Sequence, residues 1–191
     1  ADQNDNSPVF TSASSFTVAE NQTSAFTAVA TDADAGSTIT YSLSGADAAA
    51  FKINATTGVV TFVTAPDYES PGDQSFDLVV TASDGVNSTD QPVTISVTNV
   101  NEAPVFTSGS TASVAENQTA AYTAAASDPD LTSPTYSISG GADAALFNVD
   151  AATGVVTFKT APDFETPADA GGNNVYDIVV RASDGTNNVD Q

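Results

Sequence analysis

The residues able to do chemistry in this sequence are its carboxylates. Glu20, Asp32, Asp34, Asp67, Glu69 and Asp84 each have a counterpart further along, at Glu116, Asp128, Asp130, Asp163, Glu165 and Asp184. Asp2, Asp5 and Glu102 stand in Asn-rich stretches, Asp2-Gln3-Asn4-Asp5-Asn6 and Asn99-Val100-Asn101-Glu102, each followed closely by a proline. Of the 24 acidic residues, 15 fall in these short motifs, at the ends of strand-like runs. Asp and Asn favour turns in any protein, but that preference scatters acids and does not repeat them at matched positions. Clusters offering only oxygen suit a hard cation, and calcium takes roughly six to eight oxygen ligands from carboxylates and carbonyls.

Composition removes most other chemistry. The chain has no cysteine and no histidine, and it also lacks tryptophan and methionine. Disulfides, thiolate or imidazole metal sites and Ser-His-Asp or Cys-His catalysis are therefore excluded. Three basic residues, Lys52, Lys159 and Arg181, leave a formal net charge of −21. Such a chain repels nucleic acid and anionic membranes, which need Lys and Arg to replace counterions. Acidity this strong often accompanies disorder, but 40% of the residues are hydrophobic, enough for a packed core. No apolar run approaches the roughly 18 residues of a membrane span, and Ala1–Asp5 does not read as a signal peptide. The expectation is a soluble piece of something longer, living outside the cell.

The elements that must hold the acids are set by an internal repeat. Val18-Ala19-Glu20-Asn21-Gln22-Thr23 returns as Val114-Ala115-Glu116-Asn117-Gln118-Thr119, and Thr57-Gly58-Val59-Val60-Thr61-Phe62 as Thr153-Gly154-Val155-Val156-Thr157-Phe158. Later, Ala82-Ser83-Asp84-Gly85 pairs with Ala182-Ser183-Asp184-Gly185, after a small insertion near Gly171–Asn174. Each repeat alternates with period two, as in Phe76, Leu78, Val80 and Ala82 or Val93, Ile95 and Val97, which predicts strands with one buried face. Asn54–Gly58 predicts a hairpin turn with Gly58 in the left-handed region. Ala46–Ala50 and Ala142–Leu146 have helical composition but room for one turn. All aromatics except Phe16 have a partner at the equivalent place, often with Tyr exchanged for Phe, which marks them as core rings. About seven short strands in each repeat of about 100 residues predict an all-β chain of two tandem Greek-key sandwiches. The boundaries fall at 1–98 and 99–191. The last strand of the first repeat, Pro92–Thr98, has no counterpart before Gln191, so the second repeat is expected to lack it here.

The motifs in this order resemble cadherin repeats. Asp2-Gln3-Asn4-Asp5-Asn6-Ser7-Pro8-Val9-Phe10 is similar to the family's linker signature. Ala19-Glu20-Asn21, Asp32-Ala33-Asp34, Asp67-Tyr68-Glu69 and Ala82-Ser83-Asp84 resemble its Glu, Asp-x-Asp, Asp-x-Glu and late single-Asp motifs. The resemblance implies calcium held between successive domains. It assigns Glu20, Asp67 and Glu69 from the preceding domain, Asn99, Asn101 and Glu102 from the linker, and Asp128, Asp130 and Asp184 from the following one. Asp2, Asn4, Asp5, Asp32, Asp34 and Asp84 form a half-site at the N-terminal end, and Glu116, Asp163 and Glu165 another at the far end. The internal linker departs from the signature by lacking its Asp residues, and is similar to the Asn-Glu-Ala-Pro linkers of some bacterial cadherin-like repeats.

The resemblance implies a non-enzymatic module at the cell surface, with neighbouring repeats of the same polypeptide as its partners. The bland Ala, Ser and Thr surface is similar to extender repeats of large bacterial adhesins of the RTX type. The alternative is a ligand-binding module for homophilic contact or polysaccharide. Asp32–Gly36 opens like an EF-hand loop, but Leu43 stands where that loop needs Glu. Paired carboxylates also serve glycosidases, yet no unrepeated acid pair and almost no spare aromatic exist here. The sequons at Asn21, Asn54, Asn87 and Asn117 read as accidents of an Asn- and Thr-rich composition.

Overall fold

The computed structural model describes residues 4–34, 36–72 and 74–191. The chain divides into two compact units, Ala1–Val100 and Asn101–Gln191. Among the described residues, no helix is long and apolar enough to cross a membrane.

The first unit contains β1 (Val9–Phe10), β2 (Ser15–Ala19), β3 (Ser24–Thr27), β4 (Ala30–Thr31), β5 (Thr40–Ser44), β6 (Phe51–Ile53), β7 (Val59–Phe62), β8 (Ser75–Ser83) and β9 (Ser88–Thr98). One layer is β2-β9-β8-β5; the other is β3-β7-β6, extended by the pairing of β1 with β4. β1 and β2 are thus two pieces of one first strand that changes layer, and β3 and β4 are pieces of the second, leaving seven strands in a sandwich. The alternating residues face inward as predicted. Leu78, Val80, Ala82, Val93, Ile95 and Val97 from one layer meet Phe26, Phe51, Val60 and Phe62 from the other. Phe16, the aromatic without a counterpart, stacks on Phe26 with ring centroids 4.4 Å apart.

Two local devices fix the β6–β7 hairpin. Asn54 Oδ1 accepts the backbone N–H groups of Thr56 and Thr57 at 3.0 Å, and Gly58 follows at φ 69°. Asn148 through Gly154 rebuild the turn in the second unit with Asp150 in place of Asn54, its Oδ1 accepting from Ala152 at 3.0 Å and Thr153 at 2.9 Å. The helical fragments are single 3-10 turns, Ala48–Ala50 and Ala144–Leu146.

The second unit contains β10 (Val105–Phe106), β11 (Ala120–Thr123), β12 (Ala126–Ser127), β13 (Thr135–Gly140), β14 (Phe147–Val149), β15 (Val155–Phe158), β16 (Val179–Ser183) and β17 (Asn188–Asp190). Its layers are β11-β15-β14, with β10-β12 alongside, and β13-β16-β17. Each repeats its counterpart's pairing, but two pieces differ. Thr111–Ala115, the counterpart of β2, forms no strand and is exposed, and β16 begins four residues later than β8 would place it. Both are the neighbours that Pro92–Thr98 holds in the first unit, and no counterpart of that strand lies among the described residues.

Candidate metal centres

The acidic motifs lie where strands end, and the ladder decides which ends they share. β9 runs parallel to β2 and antiparallel to β8. Glu20 after β2 and Asn99 after β9 therefore gather at one end of the first unit. Asp84, just after β8, belongs at the other, separated by a nine-residue strand of roughly 30 Å.

At the Asp84 end, the loop after β4 brings in Asp32 and Asp34. Asp34 is buried, at 7% exposure. Its Oδ2 accepts the Asn6 N–H at 2.8 Å and its Oδ1 the Asn6 amide at 2.6 Å. Asp84 Oδ1 accepts Val86 and Asn87 N–H, both at 2.7 Å. The Asn87 N–H and then the Val86 N–H hold the Asp84 carboxyl below the usual carboxylate range. The Asn4 amide nitrogen reaches Asp34 and Asp84 at 3.0 Å in the orientation that satisfies both. Asp5 accepts the Asn6 amide at 3.2 Å, and Asp2 lies outside the described residues. Oxygens of Asp32, Asp34 and Asp84 all come within 4.8 Å of one another.

The corresponding end of the second unit repeats much of this arrangement. Asp130 Oδ2 accepts the Glu102 N–H at 2.7 Å, as Asp34 does for Asn6. Asp184 Oδ1 accepts Thr186 and Asn187 N–H at 2.6 Å, and its Oδ2 the Asn101 amide at 2.8 Å. Burial works against ionisation of Asp184, but the N–H groups of Asn187 and Thr186 and the Asn101 and Asn187 amides together lower its pKa. The Asn187 amide clamps the Asn101 and Glu102 carbonyls at 3.2 and 3.1 Å. One polar atom is orphaned at the same place in both units. Asp32 Oδ1 accepts the Asp34 N–H at 2.8 Å, and Asp128 Oδ1 the Asp130 N–H at 3.0 Å. The other oxygen of each, Oδ2, is buried with no hydrogen-bond partner among the described residues.

At the Glu20 end of the first unit, Glu20 is only 3% exposed. Its two oxygens accept Tyr68 N–H at 2.6 Å and Val100 N–H at 2.7 Å. Asp67 Oδ1 accepts the Glu69 N–H at 3.1 Å, and the Asn99 amide donates to Glu69 at 2.8 Å. In the second unit Glu116 accepts the Phe164 N–H at 2.9 Å and Asp163 that of Glu165 at 3.0 Å. Glu116, Asp163 and Glu165 are exposed, with oxygens within 4.8 Å of one another. Asn21 and Asn117 make these ends possible. Each follows the key Glu at φ 62° and 64°, a conformation Asn tolerates.

A buried carboxylate oxygen without a partner is costly, and a divalent cation removes that cost by direct coordination. The donors around the two orphans are carboxylates and amide or backbone carbonyls, the set that hard oxygen-seeking cations take. The residues present fit calcium. Asn6, Asn87 and Asn187 were not among the expected site residues, yet they tie the linker to the acidic loops. Their signal is in the sequence, in Asp84-Gly85-Val86-Asn87 and Asp184-Gly185-Thr186-Asn187.

Two layers of mostly antiparallel strands, with the clustered acids in loops at the strand ends, define a β-sandwich of the kind built for tandem arrays. Residues 14–98 match the cadherin domain family. A cadherin domain is thus recognised in this chain, and the second unit is its internal copy. Relatives include Protocadherin-16 of Rattus norvegicus, 35% identical over 177 residues, 86% of this chain. Protocadherin Fat 4 of Homo sapiens is 33% identical over 198 residues, 97% of this chain. The chain spans 5% and 4% of those two proteins' lengths. Among solved structures, mouse Cadherin-23 EC22-24 has a TM-score of 0.52 at 29% identity, covering 97% of this chain and 61% of that one. Drosophila N-cadherin EC1-4 has 0.58 at 26%, covering 92% and 45%. These homologues are extracellular cell-surface adhesion proteins, the location the sequence resemblance implied.

Proposed function

We propose that this chain is a calcium-stiffened segment of a larger adhesion protein, holding other parts of that protein away from a cell surface. The orphaned Oδ2 of Asp32 and Asp128, buried at the same place in both units, carries the reading. Asp32, Asp34 and Asp84, with Asn4, Asp5 and Asp2, are the N-terminal half-site; Glu116, Asp163 and Glu165 are the C-terminal one. Glu20, Asp67, Glu69, Asn99, Asn101, Glu102, Asp128, Asp130 and Asp184 are the ligands at the junction of the repeats, taken as 1–98 and 99–191. Calcium supplies positive charge and coordination there. The chain's own part is to fix the acids with backbone N–H groups and Asn amides, so that few rotamers are lost on binding. Extender repeats of a bacterial surface adhesin are the parent this reading favours, since the two repeats present near-identical acidic motifs. The second reading, homophilic contact, draws on the relatives alone, and polysaccharide has no support in the site.

Thermal unfolding with calcium and with chelator tests the proposal. Sites with dissociation constants of about 0.1–1 mM gain roughly 1.4 kcal/mol each at tenfold excess cation, a rise of several degrees for a domain of this size. Asp128→Asn, which keeps an oxygen for the Asp130 N–H, is expected to erase much of the second unit's share. A melting curve indifferent to millimolar calcium ends the reading.

A further inference from the structure

Asn187 and its counterpart Asn87 stand outside the acidic motifs, yet each reaches the linker with its side chain. The Asn187 amide donates to the backbone carbonyls of Asn101 at 3.2 Å and Glu102 at 3.1 Å. The Asn87 amide donates to the Asn6 carbonyl at 2.8 Å. Asn6 and Glu102 hold the same place in the repeat, since each gives its N–H to the second Asp of the Asp-x-Asp loop, at 2.8 and 2.7 Å. Backbone bonds already fix both asparagines in their turns. Their N–H groups go to the carboxylates of Asp84 and Asp184, and their carbonyls accept the N–H groups of the same two residues. The turns do not need the half-buried side chains, which serve the linker instead.

Other contacts fasten the same stretch to the same unit. Asp184 Oδ2 accepts the Asn101 amide at 2.8 Å, and Pro104, like Pro8, is fully buried. Just upstream, the Val100 N–H goes to Glu20 within the first unit at 2.7 Å. The linker is thus divided after Val100, where the two units part. Residues 101–104 form a strap on the second unit, as residues 4–8 do on the first. Each strap is held by bonds between protein groups, which form without a cation. The loop that receives the Glu102 N–H also carries Asp128, only 7% exposed, whose Oδ2 has no hydrogen-bond partner among the described residues.

We propose that Asn87 and Asn187 are positioning residues that keep each linker strap folded on its own unit whether or not a cation is bound. Two consecutive carbonyls held by one amide cannot turn independently, so the backbone of residues 101 and 102 is set before any ion arrives. A cation at the acidic loops then meets donors already aimed, and little conformational freedom is lost on binding. The order of the strap follows from these bonds alone, whereas its effect on affinity rests on calcium being the cation.

The test compares the intact chain with its Asn187→Ala variant by NMR-detected amide exchange, in chelator and in calcium, and by calcium titration followed at the Asp130 and Asp184 amides. In chelator, the Glu102 N–H of the unaltered chain is expected to exchange at least about tenfold more slowly than an unstructured amide. In the variant it is expected to exchange roughly tenfold faster than in the unaltered chain. Amides of β15 should keep their rates, which a general loss of stability would not allow. Calcium affinity at the second unit is expected to fall about tenfold, on the scale of lost outer-shell partners. Asn87→Ala is expected to free Asn6 and leave Glu102 unchanged, and it decides the matter if the Asn187 variant fails to fold. The proposal is overturned by a Glu102 N–H that exchanges freely in the unaltered chain until calcium is added. Equal rates in chain and variant also overturn it, as does faster exchange spread through β15. A chain that binds no calcium ends the calcium reading and leaves the exchange rates to decide the role of Asn187.

Discussion

Rings that look interchangeable in the sequence are not all equivalent. Tyr41 and Tyr136 remain tyrosine in both repeats, and each hydroxyl accepts a backbone N–H, from Ala30 at 2.9 Å and Ala126 at 2.8 Å. That bond holds the second strand where it breaks between β3 and β4. Tyr41→Phe removes the acceptor for a buried donor and is expected to cost about 1–3 kcal/mol, read from the urea midpoint of the first unit. Tyr176→Phe, which deletes a hydroxyl that has no partner among the described residues, is expected to leave stability unchanged or higher. Equal losses from both substitutions would contradict this division. Reading aromatics by repeat equivalence identified most of the core rings, but Phe164, paired with Tyr68, is 64% exposed, and Phe16, which has no counterpart, packs on the first core. It missed the two hydroxyls because the cue is a tyrosine that never exchanges with phenylalanine, an absence of variation that two copies barely reveal.

Among the elements, the β6–β7 and β14–β15 hairpins were the most legible. Asn or Asp, then Thr-Gly, then Val-Val-Thr-Phe contain the turn, its handedness and the buried face, Val60 with Phe62 and Val156 with Phe158. Gly58 and Gly154 do more than supply positive φ. A side chain at either would run into the carbonyl oxygen of Ala28 or Ala124. Gly58→Ala is expected to destabilise the first unit well beyond Gly72→Ala, which has the same backbone demand at φ 102° but open space around it. The left-handed backbone alone costs roughly 1–2 kcal/mol, and equal melting temperatures for the two variants would remove the steric argument. The change of layer by the first strand was not legible. Thr11-Ser12-Ala13-Ser14 has neither alternation nor a strong breaker, and the switch is decided by which neighbours, β4 or β9, present free edges. The acidic loops were legible as clusters because they repeat. Their internal wiring was not, since it runs through asparagine amides and backbone N–H groups that only the folded loop brings within reach.

For the molecule as a whole, the two units have unequal cores. Among the described residues, 15 hydrophobic side chains are buried in the first and seven in the second. Stability follows buried apolar area, so urea unfolding followed by tyrosine signals from each unit is expected to show the second unit melting first. A single coincident transition would mean that the units stabilise one another. The parallel pairing of β2 with β9 has a mechanical consequence. Five register pairs, from Ser15–Thr94 to Ala19–Thr98, join the first strand of that unit to its last. Tension drawn through the two ends of the unit slides these strands past each other, so the bonds share the load at once and do not peel apart in sequence.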